Sequence, residues 1–158
     1  STPIKSSAAS DVYKRQQTMS VYASKRKKSN VQFLDTAMDL WRYSRAKALK
    51  FPKRRTFYGG ARINELAAHC CNYVRAANGV YVNNQAQLDE RTRYLNKAYQ
   101  CLQNLYDEIT LAYEDCIISL NAEEAWIAMI HKEMELIQGV KKTDKARFLK
   151  QKAGKTSS

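Results

Sequence analysis

Residues 95–116 read LNKAYQCLQNLYDEITLAYEDC, and their spacing decides the fold. Leu95, Ala98, Leu102, Leu105, Ile109, Ala112 and Cys116 follow one another at alternating steps of three and four. On an α-helix that spacing gathers all seven into one narrow apolar stripe. Asn96, Lys97, Gln100, Gln103, Asn104, Asp107, Glu108 and Glu114 fall between them and suit a solvated face, and no Gly or Pro interrupts the run. Leu88 continues the stripe one heptad upstream, so the spacing predicts a helix from about Gln85 to Asp115, a rod of roughly 45 Å. Such a rod cannot bury its stripe alone, and the flanking sequence supplies three further helices.

Upstream, Ile63, Leu66, Ala67, Cys70, Tyr73 or Val74, and Ala77 form the inner face of a helix over about Ala61–Asn78, which Asn78-Gly79 stops. Before it, Ser29-Asn30-Val31-Gln32 fits a capping box. The helix that follows should reach about Lys50, with Leu34, Ala37, Trp41, Ser44 and Ala48 on its stripe, widened by Phe33 and Leu40; Pro52 ends it at or before Phe51. Downstream, Asn121-Ala122-Glu123-Glu124 reads as an N-cap with acids in the first turn. A fourth helix is expected from about Ala122 to Val140, burying Trp126, Met129, Ile130, the Glu133 stem or Leu136, and Ile137. The fold class expected is all-α: an antiparallel up-down-up-down four-helix bundle over residues 29–140. A basic leader (1–28) and a basic flexible tail (141–158) should flank it. Within the leader, SSAASDVYKRQ resembles a translated cloning adaptor, so residues 1–18 are set aside as not native. Lys25-Arg26-Lys27-Lys28 follow as a cationic arm.

At 158 residues the chain can close one real core. Five Gly and two Pro leave little material for a loop-rich or all-β fold. A net charge of +12 and a pI near 9.6 point to a polyanionic partner, most often nucleic acid. None of the four Cys makes a CxxC pair, and Cys70, Cys101 and Cys116 occupy helical core positions, where a thiol acts as a small hydrophobe. With only His69 and His131 and no ligand spacing, neither a zinc site nor another cofactor is expected. No apolar run approaches a membrane span, which suggests a reducing, cytoplasmic setting.

The charges are segregated. From Trp41 to Arg62 stand eight bases and no acid: Arg42, Arg45, Lys47, Lys50, Lys53, Arg54, Arg55 and Arg62. Residues 141–158 add seven bases, beginning with Lys141 and Lys142, against Asp144 alone, whereas Asp107–Glu135 holds eight acids and only Lys132 as a base. In an up-down bundle the first loop and the end of the third helix share one end, so the acids should lie beside the basic loop. They could offset it as surface pairs within a subunit, or meet the basic end of another copy and close a ring. The eight bases with Lys141 and Lys142 form the candidate nucleic-acid-binding set. Tyr43, Phe57 and Tyr58 near Arg42 and Arg45 would suit base stacking, or could close the bundle end instead.

No catalytic constellation is present: there is no GxSxG, no Gly-rich phosphate loop and no HExxH. Gly59-Gly60 before a helix offers at most a weak anion site. Glu108, Glu114 and His131 lack the Glu-x-x-His repeats of a diiron bundle. Cys70 and Cys71 face different ways on a helix, unsuited to a disulfide. The chain therefore reads as a binding protein rather than an enzyme.

The run VQFLDTAMDLWRYSRAKALKFPKRRTFYGGARINELAAHCCNYVRAAN, with RTRYLNKAYQCLQNLY in the third helix, resembles the accessory variability determinant family of diversity-generating retroelements. It also resembles the wider four-helix proteins encoded in intervening sequences of ribosomal RNA genes. The likeness spans about Ser29–Val140 and rests on overall pattern rather than on one motif. It implies a non-enzymatic, basic, homopentameric bundle that binds nucleic acid and a reverse transcriptase during mutagenic copying of a template RNA. A Gly-Trp pair expected late in the fourth helix is replaced by Gln138-Gly139-Val140, with the Trp at 126. The rival expectation is a structural four-helix oligomer, or a ribosomal-RNA-associated bundle, without a retroelement role.

Overall fold

The computed structural model describes residues 31–157, the Tyr58 side chain excepted. The leader, with its cationic arm, and the Ser29 side of the expected capping box lie outside the described residues. Four helices follow in order: α1 (Gln32–Ala48), α2 (Ala61–Asn78), α3 (Gln85–Glu114) and α4 (Leu120–Thr156).

Contacts between successive helices set an antiparallel circuit. Trp41 late in α1 donates its indole N–H to Asn64 early in α2, at 3.1 Å, while Met38 meets Cys71 further along, at 3.3 Å. Arg62 at the start of α2 bonds Glu108 near the end of α3, and Lys97 lies over Tyr73 lower down. Tyr106 of α3 stacks on His131 of α4, and Arg91 reaches Asp144. The circuit closes where Trp126 near the start of α4 donates to the Ser44 hydroxyl near the end of α1, at 2.9 Å, with Tyr43 edge-on to the Trp126 ring. The chain is thus an up-down-up-down bundle, as its stripes predict.

The α3 stripe is buried as expected at Leu88, Leu95, Ala98, Leu102, Leu105, Ile109 and Ala112. Asn84 caps the helix by accepting from the Gln87 amide, and the Gln87 side chain accepts in turn from the Asn83 amide, so two orphan donors are satisfied reciprocally. Cys116 departs from the expectation. The helix has ended two residues earlier, and Cys116 is exposed with φ of 58°. The Ile117 amide donates to the Ala112 carbonyl and the Cys116 amide to the Tyr113 carbonyl, both at 2.9 Å. That is a Schellman cap with Cys in the left-handed position where Gly is usual. In α1 the buried line is Phe33, Thr36, Ala37, Leu40, Ser44 and Ala48, so Leu34 and Trp41 sit on its flank rather than its centre.

Helix α4 differs most from expectation. Its N-cap is Ser119, whose hydroxyl accepts from the Ala122 amide, two residues before the Asn121 cap that the sequence suggested. The helix does not stop near Val140 but runs to Thr156. Two buried residues past Val140 hold its first added turns: Asp144, paired with Arg91 at 2.6 Å, and Phe148. The Arg91 guanidinium also donates to the Ala77 carbonyl at the end of α2, so one side chain ties three helices.

Among the described residues, one buried carboxyl group is left without a partner. Glu133 is fully buried, and neither carboxyl oxygen has a hydrogen-bond partner. Burial pushes its pKa up to about 9, against a smaller opposing pull from Lys132.

Candidate nucleic-acid interface

The acid-free run from Trp41 to Arg62 is wound rather than looped. Past α1, Pro52 starts a 3₁₀ turn (Lys53–Arg55), and a wide π-type turn (Thr56–Gly60) leads directly into α2. Phe51 is buried beneath it, and its ring lies 3.6 Å from where a Gly59 Cβ would be. A Cβ on Gly60 would stand only 3.1 Å from the Ala48 carbonyl oxygen, so Gly60 eases the close approach of α2 to the end of α1. The Ala61 amide donates to the Thr56 carbonyl. It is therefore spent, and the anion site suggested for Gly59-Gly60 loses that donor.

The acids of α3 do lie beside this segment, and the pairs form within one chain. Arg55 bonds Asp115 at 2.8 Å and Arg62 bonds Glu108 at 2.7 Å; Arg42 pairs locally with Asp39 at 3.1 Å. Lys47 rides over the Tyr43 ring, 5.4 Å from its centre. That leaves Arg45, Lys50, Lys53 and Arg54, all exposed and, among the described residues, without a carboxylate partner. Phe57 stands 84% exposed among them, so it does not close the bundle end; Phe51, which the sequence reading passed over, does. Tyr43 packs on Trp126 and is a core-side residue, whereas the Tyr58 side chain lies outside the described residues.

Lys141 and Lys142 do not join this surface. Ser44 is level with Trp126, and Lys142 lies sixteen residues further along α4, roughly 24 Å down the axis. The ten residues therefore form two groups at opposite ends of the bundle.

Exposed ion pairs are worth under about 1 kcal/mol, so a phosphate can displace Asp115 from Arg55 or Asp39 from Arg42 at little cost. Arg45, Lys50, Lys53 and Arg54 need no such exchange. A planar guanidinium pair, two flexible ammonium groups and an exposed ring fit backbone phosphates and an unstacked base, with little to read sequence.

Three of the four thiols are sheltered, and Cys116 alone is exposed. Burial pushes the Cys70 thiol well up, with Glu133 adding to the shift, and burial likewise raises Cys71 and Cys101. Thiols kept protonated are poor nucleophiles and poor metal ligands. His69 is exposed against Glu65 and Tyr73, and His131 is stacked on Tyr106. Among the described residues no three His, Cys, Asp or Glu side chains gather to hold a metal ion, and no helix is long and apolar enough to cross a membrane. No family model, curated protein or solved structure matches this chain.

Proposed function

We propose that this chain is a non-enzymatic accessory protein of a diversity-generating retroelement, binding nucleic acid by charge and working beside the reverse transcriptase as a homo-oligomer, a pentamer by preference. The observation that carries nucleic-acid binding is the exposed set Arg45, Lys50, Lys53 and Arg54, left without carboxylates while their neighbours are paired. The retroelement role rests on the sequence resemblance of Phe33–Arg55, Arg62–Val82 and the third helix.

Binding of this kind releases condensed counterions. Affinity should fall with salt by roughly 0.7 to 0.9 log unit per log unit of salt for each phosphate neutralised. Replacing Arg45, Lys50, Lys53 and Arg54 with Gln should weaken RNA and DNA alike and lower that slope by about 3, without lowering thermal stability. An unchanged slope would remove the site; no wild-type binding at low salt would remove the function. A reverse transcriptase gene beside this one, with co-purification of its product, would support the retroelement role, and the lack of either would count against it. Light scattering should give a mass several times 18.2 kDa, and a monomer at micromolar concentration would exclude the ring.

A further inference from the structure

We propose that a single subunit holds two separate nucleic-acid contacts, one at each end of the bundle, and so joins two nucleic-acid segments. The inference rests on the nucleic-acid reading above and extends it to the far end of α4. Because α4 continues to Thr156, Lys141, Lys142, Lys145, Arg147 and Lys150 are fixed on a helix. None of the five has a carboxylate partner among the described residues. The one acid of this segment, Asp144, is turned inward and neutralised by Arg91, so it does not offset them. From Lys141 to Lys150 the helix advances about 14 Å, some four phosphates along a duplex strand.

Along α4 the two ends are not parts of one track. Between Trp126 and Lys141 the only charged residues of α4 are Glu133, Glu135 and Lys132, and Glu133 is buried. Glu124 lies exposed two residues before Trp126. A polyanion laid along α4 from end to end would pass Glu124 and Glu135 with only Lys132 to meet it. Each end instead collects its own phosphates, and the packed helices hold the two collections about 24 Å or more apart. One subunit can thus bring together two strands whose mutual repulsion it screens at separate points.

A two-duplex capture assay tests this. One hairpin with a six-base-pair stem, about 20 Å long and too short to span both ends, is fixed to beads, and a second of different sequence is fluorescent and free. At low salt the wild-type protein should carry the free hairpin to the beads, and excess protein should abolish capture by occupying every hairpin singly. The variant R45Q/K50Q/K53Q/R54Q and the variant K142Q/K145Q/R147Q/K150Q should each still bind the bead hairpin yet lose capture at least about tenfold. All eight side chains are exposed, so both variants should keep the helical circular dichroism of the wild type. The comparison is made on the single-subunit fraction, of 18.2 kDa by light scattering, because copies joined in a ring would bridge hairpins with either end alone. Capture at wild-type level by either variant in that fraction, or capture by the wild type only in the assembled fraction, would overturn the proposal. So would a wild-type protein that binds the beads but captures nothing. Failure of the wild type to bind any hairpin would instead sink the nucleic-acid reading itself, and this inference with it.

Discussion

Glu133 should make the bundle less stable as pH rises through neutrality. Folding raises its pKa from an ordinary 4.5 to about 9, so the native chain holds this proton more tightly than the unfolded chain does. The contribution is full below pH 4.5 and is lost progressively between pH 4.5 and 9, at about 1.4 kcal/mol per pH unit. At pH 7 the wild type has already lost about 3 kcal/mol relative to acid conditions from this one group. Glu133→Met, of similar reach and without a charge, removes that loss. It should raise stability at pH 7 by about 2–4 kcal/mol, reduced if the thioether crowds its neighbours. Glu133→Gln should gain less, because its buried amide also lacks a partner, at a cost of about 1–3 kcal/mol. Urea melts at pH 5.5, 7.0 and 8.5 give the comparison: the wild-type midpoint should fall across the series, and those of both variants should fall much less. A wild-type midpoint that is flat over this range, with Glu133→Met less stable at every pH, would refute the reasoning.

Three further substitutions probe the packing. Ser44→Ala leaves the buried Trp126 indole N–H without its acceptor and should cost about 1–3 kcal/mol in thermal or urea melts, far above the usual effect of so small a change. Cys116→Gly relieves a left-handed non-glycine residue and should stabilise the protein by about 0.5–1 kcal/mol by the same measurement; a loss would mean that the Schellman geometry is not what holds this turn. Leu102→Ala empties a fully buried position in α3 and should cost about 2–5 kcal/mol, whereas a loss under about 0.5 would contradict the packing register.

The helices were legible wherever apolar residues recur without charge. The α3 stripe is buried at every position from Leu88 to Ala112, and α2 begins and ends where its face and its Asn-Gly stop indicate. Legibility failed where the buried residue is charged. Periodicity passes over Arg91 and Asp144 and offers the Glu133 stem only as an alternative to Leu136, yet all three lie inward, and the Arg91–Asp144 pair holds α4 beyond its expected end. Cys116 shows the opposite failure: it continues the heptad in sequence but falls beyond the helix end, where the Ile117 and Cys116 amides already close the cap. At the interface the eight bases were readable as a run, but their pairing was not. Arg55 finds its acid sixty residues away and Arg62 forty-six, separations that only the folded circuit brings to bonding distance.

A heptad stripe is repetitive, and two such stripes can engage almost as well after sliding by one repeat, about 10.5 Å. The Arg91–Asp144 pair removes that degeneracy. Sliding α4 one way along α3 would bring Asp144 to the apolar level of Ala98 and leave Arg91 facing Gln151. Sliding it the other way would bring Ile137 to Arg91 and carry Asp144 off the start of α3. Either shift leaves a sheltered charge unmatched, at about 3–5 kcal/mol. The pair thus works as an index pin between two otherwise slippery rods, and the position of every residue on the distal half of α4 is set by it.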